Sequence, residues 1–284
     1  MSANSAWRVS ALTAVALMAF AGNSLLCRLA LRGGHADPAA FTLIRLASAA
    51  AALWLVLHVS RRDTRVSGDW RSATALFVYA IAFSFAYMGL SAGTGALLLF
   101  GAVQASMLLV GLMKGERPGA VQGLGLVLAV AGLVYLVLPG VEAPAPLAAA
   151  SMLVAGVAWG LYSLRGRRAG DPTTATAGNF LRATALAIVA TLLSVSRLEV
   201  DPIGWALALT SGVVTSGLGY VIWYTALKGL TATRAAVVQL SVPVIAALGG
   251  VLLLDEAFTL RLGLATCVIL GGVALAIVGR QARS

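Results

Sequence analysis

Two arginines sit where arginine is costly. Arg45, in "FTLIRLASAA", and Arg182, in "NFLRATALAI", each lie well inside a long apolar run. A central arginine in lipid costs roughly 2.5–3.5 kcal/mol on insertion scales. Each therefore needs a partner: the carboxylate of a small molecule, or helix carbonyls that it ties together structurally. Other polar side chains interrupt the same runs, namely Asn23, Ser24, Gln104, Asn179, Gln239 and Ser241. At bilayer depth these need another helix or a watery cavity. One reading is helix-to-helix hydrogen bonding. The other has Asn23, Ser24, Gln104 and Gln239 holding a polar head group in a central cavity.

Aromatic stripes accompany them. Tyr79, Phe83 and Tyr87 are spaced by four, as are Ser216, Tyr220 and Tyr224, and each set shares one helix face. Trp159 and Tyr162 repeat the theme. Trp7, Trp54, Trp70 and Trp205 stand near run ends and suit an interfacial belt. Tyr79, Phe83, Trp159 and Tyr220 lie deeper and are the candidates to line a cavity. Pro243 predicts a helix kink, because an interior proline frees the carbonyl one turn back, at Gln239.

Other chemistries find no residues. Cys27 and Cys267 lie in separate runs, which builds neither a disulfide nor a metal framework. The glycines of "GLG" (123–125) and "GLGY" (217–220) fall within apolar runs, where small residues let helices approach. They are not phosphate loops. A nucleophile with a base partner is not visible, so neither an enzyme nor a cofactor is expected. Asp, Glu and His keep to run ends and loops, as with Glu116, Asp255, Glu256, His58 and His35. That disfavours an intramembrane proton relay.

The elements that carry these side chains are set by composition. Hydrophobic residues make up 60% of the chain, charged residues 11%, and mean hydropathy is +0.94. A soluble domain has about a quarter of its residues charged. The apolar runs fall near 8–30, 38–58, 71–90, 94–113, 119–138, 147–164, 173–196, 203–227, 232–254 and 259–279. They have the length of membrane helices and lack the alternation of barrel strands. The predicted fold is an all-α integral membrane protein of ten transmembrane helices. The first run has a cleavage-like "AFAG" but extends on to Leu31, and reads as a retained helix.

Net charge is +10, yet the basic residues are scattered through short loops, which argues against nucleic acid. With the N-terminus cytoplasmic, 14 of the 20 Lys and Arg fall on the cytoplasmic side: Arg8, four within 61–71, Lys114, Arg117, three within 165–168, Lys228, Arg234, Arg280 and Arg283. Both termini are then cytoplasmic.

The chain also repeats. At a shift of about 137 to 140, Arg45 meets Arg182, Phe83 meets Tyr220, Tyr87 meets Tyr224, Glu116 meets Glu256 and Gly132 meets Gly272. "PGVEAPAP" (139–146) is the seam, dividing 1–140 from 145–284. Five spans per unit invert the second copy, a plan shared by secondary transporters.

The residues here carry a resemblance. Tyr-x-x-Leu, a small-residue turn, an apolar span, then Gly-Glu-Arg or Asp-Glu before a Gly-rich helix resembles the EamA repeat of the drug/metabolite transporter superfamily. "QLSVPVIAALGG" (239–250) followed by "DEAFTLRLG" is the closest stretch. The first copy departs from it, with "VQAS" (103–106) where the family has a helix-breaking proline. The resemblance implies two inverted five-helix repeats in the bacterial inner membrane that export small metabolites by alternating access. The aromatic residues point to aromatic or large apolar amino acids, moved without ion coupling. The partners are then the small-molecule substrate and the lipid bilayer, and a single copy suffices. A proton-coupled exporter of other metabolites or drugs, and a membrane scaffold or receptor, are the alternatives.

This reading makes a topological prediction. Cysteines introduced at Val66 and Glu142 label from opposite sides of the membrane, scored with an impermeant thiol reagent. Labelling from one side sinks the five-plus-five inversion.

Overall fold

In the computed structural model the described residues are 3–60, 67–113, 119–140, 142–166, 171–193, 199–230 and 232–281. They form α1 (Ala3–Arg32), α2 (Pro38–Val59), α3 (Trp70–Tyr87), α4 (Ala92–Met113), α5 (Ala120–Val137), α6 (Pro146–Gly166) and α7 (Pro172–Leu193). There follow α8 (Pro202–Thr210), a π-helical segment (Ser211–Leu218), α9 (Gly219–Leu227), α10 (Ala232–Gln239), α11 (Ser241–Leu254) and α12 (Leu260–Gln281). The charged turn of Lys114, Glu116 and Arg117 lies outside the described residues, as do Val66 and Arg197.

Asp-Pro pairs start several helices. Asp37 caps α2, its Oδ1 accepting from the N–H of Ala39 (2.9 Å) and Ala40 (3.0 Å), with Pro38 at the first helical position. Asp171 accepts from Thr173 N–H at 3.0 Å before α7, and Asp201 from Gly204 N–H at 2.7 Å before α8. Nine helical stretches among the described residues are long and apolar enough to cross a membrane. In this count α8, the π-helical segment and α9 are one span, Pro202–Leu227. The amphipathic α3, which begins Trp70-Arg71, is not among the nine. No strand occurs among the described residues; one isolated antiparallel bridge joins Ala36 to Val200.

The outward faces are apolar. Val127, Leu192, Leu252 and Leu253 are all more than half exposed, an arrangement suited to lipid and costly in water. The chain is a multi-pass helical membrane protein. Within the bundle α1 packs on α8, α9, α11 and the π-helical segment, and α6 packs on α3 and α4. α2 lies against α7, and α5 against α12.

Two spans are irregular. The π-helical segment widens the middle of the Pro202–Leu227 span, a departure often found at functional sites. The ninth predicted span is interrupted at Leu240, between Gln239 and Ser241, one turn before Pro243. The equivalent stretch of α4, which has no proline, is continuous helix.

Glycine sets the approach of α5 and α12. A Cβ on Gly272 would lie 2.6 Å from Ala129 N and 2.7 Å from Gly125 O, so backbone meets backbone there. A Cβ on neighbouring Gly271 would meet nothing within 4 Å. Gly272→Ala therefore destabilises the fold by about 1–3 kcal/mol through overpacking. Gly271→Ala is neutral or stabilising, since alanine is the better helix former. Thermal unfolding of the two variants in detergent separates them; equal melting temperatures would refute the close crossing.

Candidate functional site

Seven helical elements converge on a small closed cavity of about 20 Å³, room for roughly one water. α1 contributes Phe20, Asn23 and Ser24; α3 contributes Tyr79 and Phe83; α4 contributes Leu99 and Phe100. Trp159 of α6, Thr215 and Ser216 of the π-helical segment, Tyr220 of α9 and Gln239 of α10 complete it. The rings touch one another. Centroids of Tyr79 and Trp159 are 4.8 Å apart, those of Trp159 and Tyr220 5.2 Å, and those of Phe20 and Tyr220 6.0 Å.

Behind one wall lies Arg45, 1% exposed. Its Nε donates to Ser216 Oγ at 3.1 Å and its Nη2 to the Tyr79 hydroxyl at 3.1 Å. The guanidinium carbon lies 5.3 Å from the Tyr79 ring centroid and 5.1 Å from that of Phe83. Nη1 is buried and donates to nothing among the described residues. Asn23 organises the other edge. Its Oδ1 accepts from Ser211 Oγ at 2.7 Å and Thr215 Oγ1 at 3.3 Å, while Nδ2 points to the Tyr79 hydroxyl at 3.4 Å. The glycine at 212 lets the π-helical segment press against the backbone of α2 at Arg45 O, which a Cβ would approach to 2.5 Å. That contact brings Ser216 within reach of the guanidinium.

The bundle is unequal at its two ends. On the side of the α2–α3 and α6–α7 loops a vestibule of about 730 Å³ opens, lined by Asp69, Arg71, Tyr162, Arg165, Asn179 and Tyr224 among others. Arg165 Nη2 meets Asp69 Oδ1 there at 2.8 Å, and its Nε donates to Ser72 Oγ at 3.0 Å. Burial alone would raise the Asp69 carboxyl, but the Ser72 hydroxyl and N–H and the Arg165 guanidinium hold it at about 2. A depressed carboxyl contributes fully above its unfolded value and loses that contribution only as pH falls through about 2. The group stays ionised throughout the neutral range.

The opposite end is tied together by an ion pair. Arg28 Nε meets Glu256 Oε1 at 2.9 Å, and Arg28 Nη1 donates to Tyr87 O at 2.8 Å. Glu256 Oε2 accepts from the N–H of Ala92 at 2.7 Å, where the unpaired donors of the first turn of α4 favour a carboxylate. One carboxylate thus ties α1, α4 and the α11–α12 turn, and Arg28 adds the end of α3. Glu256 stands at a span end, as the sequence reading has it, but its side chain is turned inward and only 7% exposed. A shallower recess of about 380 Å³ lies over the pair.

Most of the predicted site residues come together. Asn23, Ser24, Tyr79, Phe83, Trp159, Tyr220 and Gln239 all line the cavity. Gln104 does not; it is buried on α4, one turn beyond Phe100. Arg45 and Arg182 occupy different surroundings despite matching in the repeat. Arg182 donates to Ser67 O at 2.9 Å and Gly178 O at 3.0 Å, and lies 6.0 Å from the Trp70 ring centroid. It ties backbone at the vestibule rim. Phe20, Leu99, Phe100 and Thr215 were not anticipated. Phe20 is three residues from Asn23 on one helix face, a signal that could have found it; Phe100 sits in "LLLF", which carries none.

The described residues thus form a multi-pass helical bundle with a small cavity among its helices and a vestibule at one end. Comparison with known proteins gives it a family. Residues 146–278 match the EamA-like transporter family. An uncharacterized protein of Pseudomonas aeruginosa is 54% identical over 278 residues, covering 98% of this chain and 97% of its own. An uncharacterized transporter of Archaeoglobus fulgidus is 26% identical over 260 residues, covering 86% and 89%. A protein of known crystal structure, 21% identical, has the same fold, with a TM-score of 0.68 and 96% and 98% of the two chains covered. The chain belongs to the EamA-like transporter family.

The end tied by Arg28 and Glu256 is testable with a native reporter. Cys27 is fully buried one residue before Arg28. Removing one partner of a buried ion pair is strongly destabilising. In a Cys267→Ser background, Glu256→Ala should speed modification of Cys27 by a water-soluble thiol reagent on the order of tenfold. An unchanged rate would show that the pair does not hold this end shut.

Proposed function

We propose that the chain is a secondary transporter that exports small metabolites, namely aromatic or large apolar amino acids, across the bacterial inner membrane by alternating access. The observation that carries this reading is the small ring-lined cavity between a wide vestibule at one end and the Arg28–Glu256 pair, under a shallower recess, at the other. A carrier with one side open and the other shut has that form, and the cavity lies between elements of both halves of the chain.

The proposed architecture is ten spans in two inverted five-helix units, 1–140 and 145–284, with α3 as the tenth span. The packing supports it. Exchange α1 with α6, α2 with α7, α3 with α8–α9, α4 with α10–α11, and α5 with α12. The packing of α3 on α6 then becomes that of α8–α9 on α1, and α4 on α6 becomes α11 on α1. The pairs α2–α7, α4–α11 and α5–α12 map onto themselves. A pseudo-two-fold axis in the membrane plane produces this exchange. With the basic loops cytoplasmic, the vestibule faces the cytoplasm and Arg28–Glu256 closes the outer side. In this reading substrate meets the cavity wall at Asn23, Ser24, Tyr79, Phe83, Trp159, Tyr220 and Gln239, with Gln104 behind it on α4.

A coupled cycle is the second reading, favoured by the inward-turned Glu256 carboxylate. Flux into proteoliposomes from a panel of labelled amino acids decides between them. The proposal expects movement down the substrate gradient that persists with an uncoupler and changes little under a proton gradient. Trp159→Ala should lower flux at unchanged protein abundance, and Gln104→Ala should have the smaller effect. Accumulation against a gradient, driven by imposed protons, overturns the uncoupled cycle. Absence of any flux overturns the carrier.

A further inference from the structure

The polar wall of the cavity has a sign. Among the described residues Arg45 is buried without a carboxylate partner, and of its nitrogens Nη1 donates to nothing. Its other two nitrogens use the oxygens of Ser216 and Tyr79 as acceptors. The Tyr79 oxygen also lies at the end of the Asn23 amide, so that oxygen faces two donors while its own O–H finds no acceptor among the described residues. Asn23 Oδ1 accepts from Ser211 Oγ, with Thr215 Oγ1 nearby at 3.3 Å but giving its one hydrogen to Ser211 O at 2.7 Å, and the Asn23 amide is turned toward the Tyr79 hydroxyl. Counted by donor and acceptor capacity, this wall holds more hydrogens to give than lone pairs to receive them. A group that completes it must accept hydrogen bonds and welcome positive charge.

The cavity offers nothing comparable to a cation. Among the described residues its lining contains no aspartate or glutamate; its remaining walls are the rings of Phe20, Phe83, Phe100, Trp159 and Tyr220 with Leu99, and the neutral polar groups of Ser24, Thr215 and Gln239. An ammonium would meet ring faces on one side and, on the other, the like charge of Arg45 behind Tyr79 and Ser216. An unpaired like charge is the repulsive element by which a site refuses a ligand.

Resting on the carrier reading, we propose that this site selects its cargo by the carboxylate and not by the amine. The carboxylate docks against Tyr79, Ser216 and Asn23 with Arg45 as the charge behind them, and the apolar side chain lies among the rings. The cargo class is therefore small monocarboxylates with an aryl or branched alkyl group. The 2-oxo and 2-hydroxy acids belong to it as fully as the amino acids of the same side chain, and amines without a carboxylate are excluded. At about 20 Å³ the cavity is collapsed in this state, so cargo reaches the wall only as the rings of Trp159 and Tyr220 part from Tyr79.

The test uses the full chain in proteoliposomes. Uptake of labelled phenylalanine and, separately, labelled leucine is challenged with the matching 2-oxo acid, 2-hydroxy acid and decarboxylated amine. The proposal expects both acids to compete comparably with the amino acid, and the amine to compete at least about tenfold less well, since a site built to bond a group rejects the analogue lacking it. In Arg45→Gln the acids should lose that advantage through KM, with about tenfold weaker binding. Arg45→Lys should retain it in part. Tyr79→Phe, which keeps the ring and removes the hydroxyl, should weaken the acids and leave the amine unchanged, and supplies the comparison should Arg45→Gln fail to fold. If an amino acid is carried but its 2-oxo acid does not compete, or the amine competes equally, the carboxylate rule is overturned while the carrier stands. If nothing is carried, both fall.

Discussion

A guanidinium held in the middle of the bundle without a carboxylate shapes what surrounds it. Burying such a charge unpaired is among the most costly things a fold can do, and here the cost is met by dispersed partners. Two hydroxyls, two ring faces and the close-packed backbone of the π-helical segment share one cation between α2, α3 and α8–α9. Tyr79 cannot move without disturbing Arg45, and Ser216 cannot move without disturbing both. The polar wall of the cavity is therefore held by directed hydrogen bonds, whereas Phe20, Trp159 and Tyr220 are held by ring contacts.

The same economy explains the end tied by Arg28 and Glu256. Glu256 is stabilised by a guanidinium and by a helix start together, so one carboxylate fastens segments distant in sequence. At the vestibule rim Asp69 performs a smaller version of this, capping α3 while receiving Arg165. That pair is largely exposed, and exposed pairs contribute little. The difference in burial between the two ion pairs matches the difference in how closed the two ends are.

Much of the fold was legible because lipid leaves few options. Apolar run length placed most of the helices to within a few residues, and Asn23, Tyr79, Trp159 and Tyr220 stood out as polar or ring-bearing groups at depth. Phe100 was illegible, since a phenylalanine in "LLLF" reads the same whether it faces lipid or a cavity. The inward turn of Glu256 was hidden for another reason: a carboxylate at a span end can face water or the interior, and only the position of Arg28 and of the α4 terminus decides. Arg182 matches Arg45 in the repeat yet takes the second of the two partners the sequence allowed, backbone carbonyls. Matching positions share a helix and a depth, but their neighbours come from different halves.

The irregular features fall on one side of that repeat. The widened π-helical turns and the break at Leu240 belong to the second half, while α3 and α4 in the first are continuous. Under perfect two-fold symmetry the inward-facing and outward-facing forms would be mirror versions of equal energy. Here they cannot be, because the bent elements would have to trade places with straight ones. Detailed balance forbids such a difference from driving net flow. It does allow the two faces to bind cargo with unequal strength, provided the empty molecule reorients at correspondingly unequal rates. In the proposed cycle a lopsided bundle of this kind has a preferred resting side.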